Sequence, residues 1–201
     1  MDADRTRSAP DSVADLPGDT TPAIVSISDI HGYLNDARSA LRAVGESSVF
    51  DPVVTTEADG LLHWAGNDYV LVVNGDAIDR GPDSAGVVRL IDRLASEAPP
   101  GRIRYHLGNH EMAALFPSVL DWSHWYCGQL DSERRLEFYE RVREGLLTAA
   151  FDGYEYRYSH AGQPSAFDVS AANDQLREED SVLLVSEGNN VDPFDHVHFA
   201  W

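Results

Sequence analysis

Two short apolar runs, AIVSIS from Ala23 and YVLVV from Tyr69, and a third strand-like stretch, RIRYHL from Arg102, each break off into a glycine-bearing polar cluster: DIHG, GDAIDRGP and GNHE. Runs of that length and composition predict buried strands. The stretches between them read as helices. LNDARSALRAVG has apolar residues at helical spacing and closes on Gly45, and SAGVVRLIDRLASEAPPG is halted by Pro99 and Pro100. Strand, loop and helix in repetition predict an α/β fold, in which ligands collect beyond the carboxyl ends of the strands. The polar clusters all fall at such ends. Two hairpins are also expected, PVVTTEADGLLHWAG turning at Asp59-Gly60 and AAFDGYEYRYSHAG turning at Asp152-Gly153, the second delivering His160 at its end. Between them, residues 117 to 149 break the rhythm with aromatic WSHWYCG and a charged helix, and read as a helical insertion over the site.

Collected from four strand ends, the polar residues are Asp29 and His31, then Asp76, Asp79 and Arg80, then Asn109 and His110, and last His160. Oxygen and imidazole donors without thiolate suit Mn, Fe, Zn or Ni. A carboxylate placed between two cations can bridge them, which gives a reason for a single Asp76 in the middle of the group. Any one of these residues alone would read as a turn former or helix cap. Capping, however, would draw Ser and Thr as readily as Asp, His and Asn, and here four separate ends carry the same chemistry. His63, His106 and His124 are expected to be structural or exposed.

DIHG at 29 to 32, GDAIDRGP at 75 to 82, GNHE at 108 to 111 and SHAG at 159 to 162 resemble, in order and spacing, the successive motifs of the calcineurin-like metallophosphoesterases. The DRGP and GNHE forms resemble the phosphoprotein phosphatase branch and the related diadenosine tetraphosphatases and Shewanella-like phosphatases. The resemblance implies an α/β (α+β) fold over residues 22 to 201, a two-sheet β sandwich flanked by helices. It implies hydrolysis of a phosphomonoester or phosphoanhydride by in-line attack of a hydroxide bridging two divalent metal ions, Mn before Fe, Zn or Ni. Asp29 and His31 would bind the first ion, Asp76 would bridge, and Asn109 and His160 would bind the second. His110, oriented by Asp79, would protonate the leaving group. Arg80 and Asn109 would hold the phosphate of a phosphoprotein, a dinucleotide or a small phosphomonoester. The family pattern continues to a Gly-His pair on a further strand. No such pair follows His160; His196 and His198 are the nearest substitutes, and the family's C-terminal strand is expected to be lacking. A catalytically weak, phosphatase-like binding or regulatory module is therefore the alternative expectation.

Composition narrows the partners. Against 34 acidic residues stand 15 basic ones, all arginine, for a formal charge of -19. A field of that sign repels nucleic-acid polymers and anionic membranes, so neither is an expected partner. Self-repulsion on this scale is tolerable where salt screens it, the Debye length falling to roughly 3 Å at 1 M, and points to a salt-adapted organism. Cys127 is the only cysteine and reads as a small buried hydrophobe. Residues 1 to 21 are acidic and lack an apolar leader, which predicts a disordered tail and a cytoplasmic protein. Trp122, Trp125 and Tyr126 are expected to pack the insertion onto the domain, with stacking on a nucleobase or lining a peptide groove as the alternative.

Overall fold

The structure is a computed structural model that describes residues 10–117, 120, 122–162 and 166–186. In chain order its elements are β1 (Ala23–Ile27), α1 (Leu34–Gly45), β2 (Val54–Thr56), β3 (Leu62–Trp64), β4 (Tyr69–Val73), α2 (Ser84–Glu97), β5 (Ile103–His106), α3 (Asn109–Leu115), α4 (Ser132–Arg143), β6 (Leu147–Thr148), β7 (Ala150–Gly153), β8 (Tyr156–Ser159) and α5 (Val169–Ser186). β1, β4, β5 and β6 form a parallel sheet in the order β1-β4-β5-β6. β2 with β3, and β7 with β8, form two antiparallel pairs.

Every residue of β4 is buried because both faces of the sheet are covered, which is why YVLVV is a continuous apolar run. Tyr69, Leu71 and Val73 face the larger core with Leu41, Val87, Ile91 and Leu94. Val70 and Val72 face the other way, onto Phe151 of β7 and Leu16. Each such aliphatic side chain contributes roughly 1.5–3 kcal/mol on burial. The result is a mixed α/β arrangement, a parallel sheet with antiparallel strands and flanking helices, as expected for a metallophosphoesterase.

Three local expectations are corrected. The β7–β8 hairpin turns at Tyr154 and Glu155, since Gly153 still pairs with Tyr156 and Asp152 with Arg157. In this register Asp152 and Arg157 face each other across the ladder and form an ion pair, Arg157 Nε to Asp152 Oδ1 at 2.7 Å. Leu147 and Thr148, inside the stretch expected to be an insertion, are the fourth strand of the parallel sheet, and α4 packs against α3, α5 and β6. A strand of two residues leaves no periodic signal to read. Within the expected tail, Val13–Asp15 form a 3-10 turn, Leu16 is buried, and the Asp11 carbonyl accepts from Asp152 N–H at 2.9 Å. Leu16, packed with Val13, and the polar contacts of Asp11 with Asp152 and Asn173 hold that segment against the domain.

α5 was not legible from its weak periodicity. It is fixed by Leu176 in the core and by the fully buried Asn173, whose Oδ1 accepts from the N–H groups of Ala149 and Ala150 at 2.8 and 3.3 Å. Residues 187 to 201, with His196 and His198, lie outside the described residues. Among the described residues no helix is long and apolar enough to cross a membrane.

Candidate metal centre

The loops after β1 and β4 continue the pairing of their strands. Asn74 N–H donates to Ile27 O at 2.7 Å, Asp29 N–H to Gly75 O at 3.2 Å, His31 N–H to Asp76 O at 2.9 Å and Gly32 N–H to Ala77 O at 2.8 Å. Two polar clusters more than forty residues apart are thereby laid side by side. The backbone is bent to do it: Asp29, His31, Asp76, Asp79 and Arg80 all have positive φ, between 48° and 71°. Left-handed backbone costs a non-glycine residue on the order of 1–2 kcal/mol, and such strain is held where side chains must be aimed. Gly75, with φ +79°, cannot be substituted freely either, since a Cβ there would sit 2.6 Å from the His160 ring.

Asp76 is the hub. Its Oδ2 lies 3.7 Å from His31 Nε2, 3.5 Å from His160 Nε2 and 4.0 Å from His110 Nε2. Two ligand groups result, Asp29 with Asp76 and His160, and His31 with Asp76 and His110, the ligand atoms of each lying within 4.8 Å of one another. His31 Nδ1 donates to Ile78 O at 3.2 Å and His160 Nδ1 to Asn74 O at 2.9 Å. Both tautomers are thus fixed by main chain, leaving each Nε2 lone pair for a cation. Asn109, half-buried, opens α3 beside His110. Donors of this kind around a shared carboxylate fit two divalent ions.

His110 is 2% exposed and stands between the metal ligands and the segment after α3. Its Nδ1 donates to Asp79 Oδ2 at 2.6 Å, while Nε2 is buried and has no hydrogen-bond partner among the described residues. Asp79 is held on its other side by Cys127 N–H at 2.9 Å, and its own N–H donates to Ser84 Oγ at 2.8 Å. Burial works to raise the Asp79 carboxyl, but the hydrogen bonds from His110 and Cys127 outweigh it and hold the carboxyl below the usual aspartate range. Arg80 is exposed and makes no ion pair among the described residues. Trp122 and Trp125 lie 4.6 and 5.8 Å from the His110 ring, so these two aromatics meet the site itself. Cys127 is fully buried and its thiol is pushed up by burial and by Asp79.

This arrangement agrees with a family match. The model for calcineurin-like phosphoesterases matches residues 22–200. The chain belongs to that family. It is 28% identical over 117 residues to Shewanella-like protein phosphatase 2 of Arabidopsis thaliana, a match covering 52% of this chain and 27% of the relative. It superposes on a point mutant of a cold-active protein tyrosine phosphatase with a TM-score of 0.63 at 19% identity, over 94% of this chain and 57% of that one. On a candidate diadenosine tetraphosphatase the TM-score is 0.51 at 22% identity, over 81% and 59%. The matches cover only 25% and 27% of the curated relatives' length.

Two buried residues that sequence reasoning left without a role support this phosphoesterase centre. Glu111 is fully buried and accepts four hydrogen bonds, from the N–H groups of Asp76 (2.8 Å), Ala77 (2.9 Å) and Gly108 (2.9 Å) and from Tyr105 Oη (2.7 Å). Burial raises its carboxyl, against the pull of the Tyr105 hydrogen bond. His106, expected to be structural, donates from Nδ1 to Asn74 Oδ1 at 2.8 Å, and Asn74 in turn donates to Ser159 O at 3.0 Å, tying β5, β4 and β8 together beneath His160.

Burial, with the charges of Arg104 and His160, pushes His106 down from 6.5 to about 3. Because the folded value is lower, the unfolded chain binds a proton that the native state refuses. His106 therefore leaves stability intact above about pH 6.5 and removes it, by up to about 1.4 kcal/mol per pH unit, as pH falls toward 3. His106→Gln, which keeps a donor for Asn74, is expected to flatten the acid limb of a urea-unfolding series between pH 6.5 and 4.5. Parallel slopes in variant and wild type would count against the assignment.

Proposed function

We propose that the chain is a hydrolase of phosphate esters working at a two-metal centre. Asp29, His31 and Asp76 would hold one ion, and Asp76, Asn109 and His160 the other. When bound, two such ions lower the pKa of a water and neutralise the phosphate on both sides of an in-line displacement. Manganese is the ion proposed, since the donors are carboxylate, amide and imidazole.

The observation that carries the reading is His110. Asp79 accepts the Nδ1 proton, which leaves Nε2 buried, 4.0 Å from Asp76 Oδ2 and with no hydrogen-bond partner among the described residues. A buried polar atom without a partner costs roughly 1–3 kcal/mol, and a leaving-group oxygen would supply the partner. Entering the step as imidazolium, His110 would give its Nε2 proton to the departing alkoxide as the phosphorus–oxygen bond breaks, leaving the neutral Nδ1–H ring that Asp79 keeps aimed. The exposed Arg80 guanidinium would take two phosphate oxygens in a planar fork. Phosphoproteins, dinucleotides and small phosphomonoesters all present such a group, and the relatives named as phosphatases support that range.

The test is a metal-resupply assay with p-nitrophenyl phosphate and an alkyl phosphate, comparing wild type with His110→Asn. Metal-dependent turnover of the alkyl phosphate that falls on the order of 10²–10³-fold in the variant, with a much smaller loss on p-nitrophenyl phosphate and unchanged metal content, is expected of a lost general acid. Lost metal would make His110 a ligand with His31 and Asp76. A folded, metal-loaded wild type that turns over nothing would favour the phosphate-binding module.

A further inference from the structure

Resting on that reading, we propose that Trp122 is a positioning residue for His110, holding the imidazole in the one orientation from which Nε2 meets the leaving group. His110 is gripped on three sides. His31 meets it edge-on at 4.9 Å and 81°, Trp125 at 5.8 Å and 72°, and Trp122 lies over it at 4.6 Å with only 33° between the planes. The hydrogen bond to Asp79 fixes one ring nitrogen but leaves the ring free to tilt about that bond. An indole packed at that angle against the ring opposes the tilt, because leaving the contact forfeits about 0.5–1.5 kcal/mol of aromatic interaction.

The same short segment grips the other half of the pair. Trp125 N–H donates to Trp122 O at 2.9 Å, Gln129 N–H to Trp125 O at 3.1 Å, and the turn between them delivers Cys127 N–H to Asp79 Oδ1 at 2.9 Å. Gly128 keeps this turn tight, since a Cβ there would overlap the Trp122 carbonyl. One turn therefore places a donor on the carboxylate and an indole on the imidazole. A loop serving only to cover the core would have no need to address both partners.

A positioning residue acts through the proton it helps deliver, so its loss should track how much the leaving group needs that proton. Alkoxide leaving groups need it; p-nitrophenolate, which departs readily as an anion, does not. Trp122→Ala is expected to lose about 10–100-fold in kcat on an alkyl phosphate and under about 3-fold on p-nitrophenyl phosphate, a fraction of what general acid catalysis supplies. Trp122→Phe, which keeps a stacked ring, is expected to stay near wild type on both. A second readout needs no turnover. In the full chain loaded with diamagnetic Zn, the short Nδ1–H of His110 should give a far-downfield proton resonance in wild type and Trp122→Phe, broadened or lost in Trp122→Ala. Equal losses on the two substrates, or an unchanged resonance in the alanine variant, would overturn the proposal. If wild type hydrolyses neither ester, the hydrolase reading fails by itself, and the resonance still decides whether Trp122 orients His110.

Discussion

Asp76→Asn is expected to lower metal-dependent phosphoesterase turnover by on the order of 10³-fold and to leave the chain folded. The two halves of this expectation follow from the two oxygens. Oδ1 accepts His110 N–H at 3.1 Å, a bond that an asparagine oxygen can keep. Oδ2 faces three imidazole Nε2 atoms within 4.0 Å, and at that place the variant would present an amide N–H₂ to any cation. Two cations sharing a site repel one another, and a buried carboxylate between them is what offsets the repulsion; Asp76 is 3% exposed. Metal content by mass spectrometry should therefore fall together with kcat/KM. An asparagine variant with wild-type metal content and turnover would remove Asp76 from the centre.

What could be read from the chain in advance was local: a strand followed at once by its ligands. Asp29 with His31, Asp76 with Asp79 and Asn109 with His110 are each a few residues from an apolar run that periodicity identifies, and the parallel order of the strands brings those ends together. Roles that depend on a distant partner were hidden. Glu111 reads as an acid in the first turn of a helix, a position that helix-end electrostatics would fill in any protein, and its bond to Gly108 N–H is of that local kind. Its bonds to Asp76 and Ala77 arise from the neighbouring strand end and have no signature in GNHE. Trp122 reads as packing because aromatics bury so much area; its contact with His110 depends on how the turn at residues 122 to 129 folds back. Leu147–Thr148 and the Tyr154 turn failed for the opposite reason, being too short for any pattern, with cross-strand pairing deciding register.

Glu111→Ala is expected to be the most destabilising single change at the centre, by roughly 4–6 kcal/mol, and to abolish metal binding along with it. Among the described residues the carboxylate is the acceptor for three amides that form the floor of the site, those of Asp76, Ala77 and Gly108, and it also takes the Tyr105 hydroxyl. Truncation leaves these donors in a fully buried space, at roughly 1–3 kcal/mol for each that finds no substitute, and opens a cavity besides. Glu111→Gln probes the same point with the volume kept. Its amide nitrogen would face donors, so about half of the loss should remain. Because Asp76 and Ala77 belong to the loop that aims the Asp76 carboxylate, misplacement there should weaken any cation site built on it even in molecules that stay folded. Urea unfolding followed by tryptophan fluorescence, with metal affinity measured on the glutamine variant, separates the two effects. Wild-type stability in Glu111→Ala would mean that the three amides do not depend on this carboxylate. Wild-type metal affinity in a destabilised Glu111→Gln would mean that the floor carries stability alone and that Asp76 is aimed by the strained backbone of its own loop.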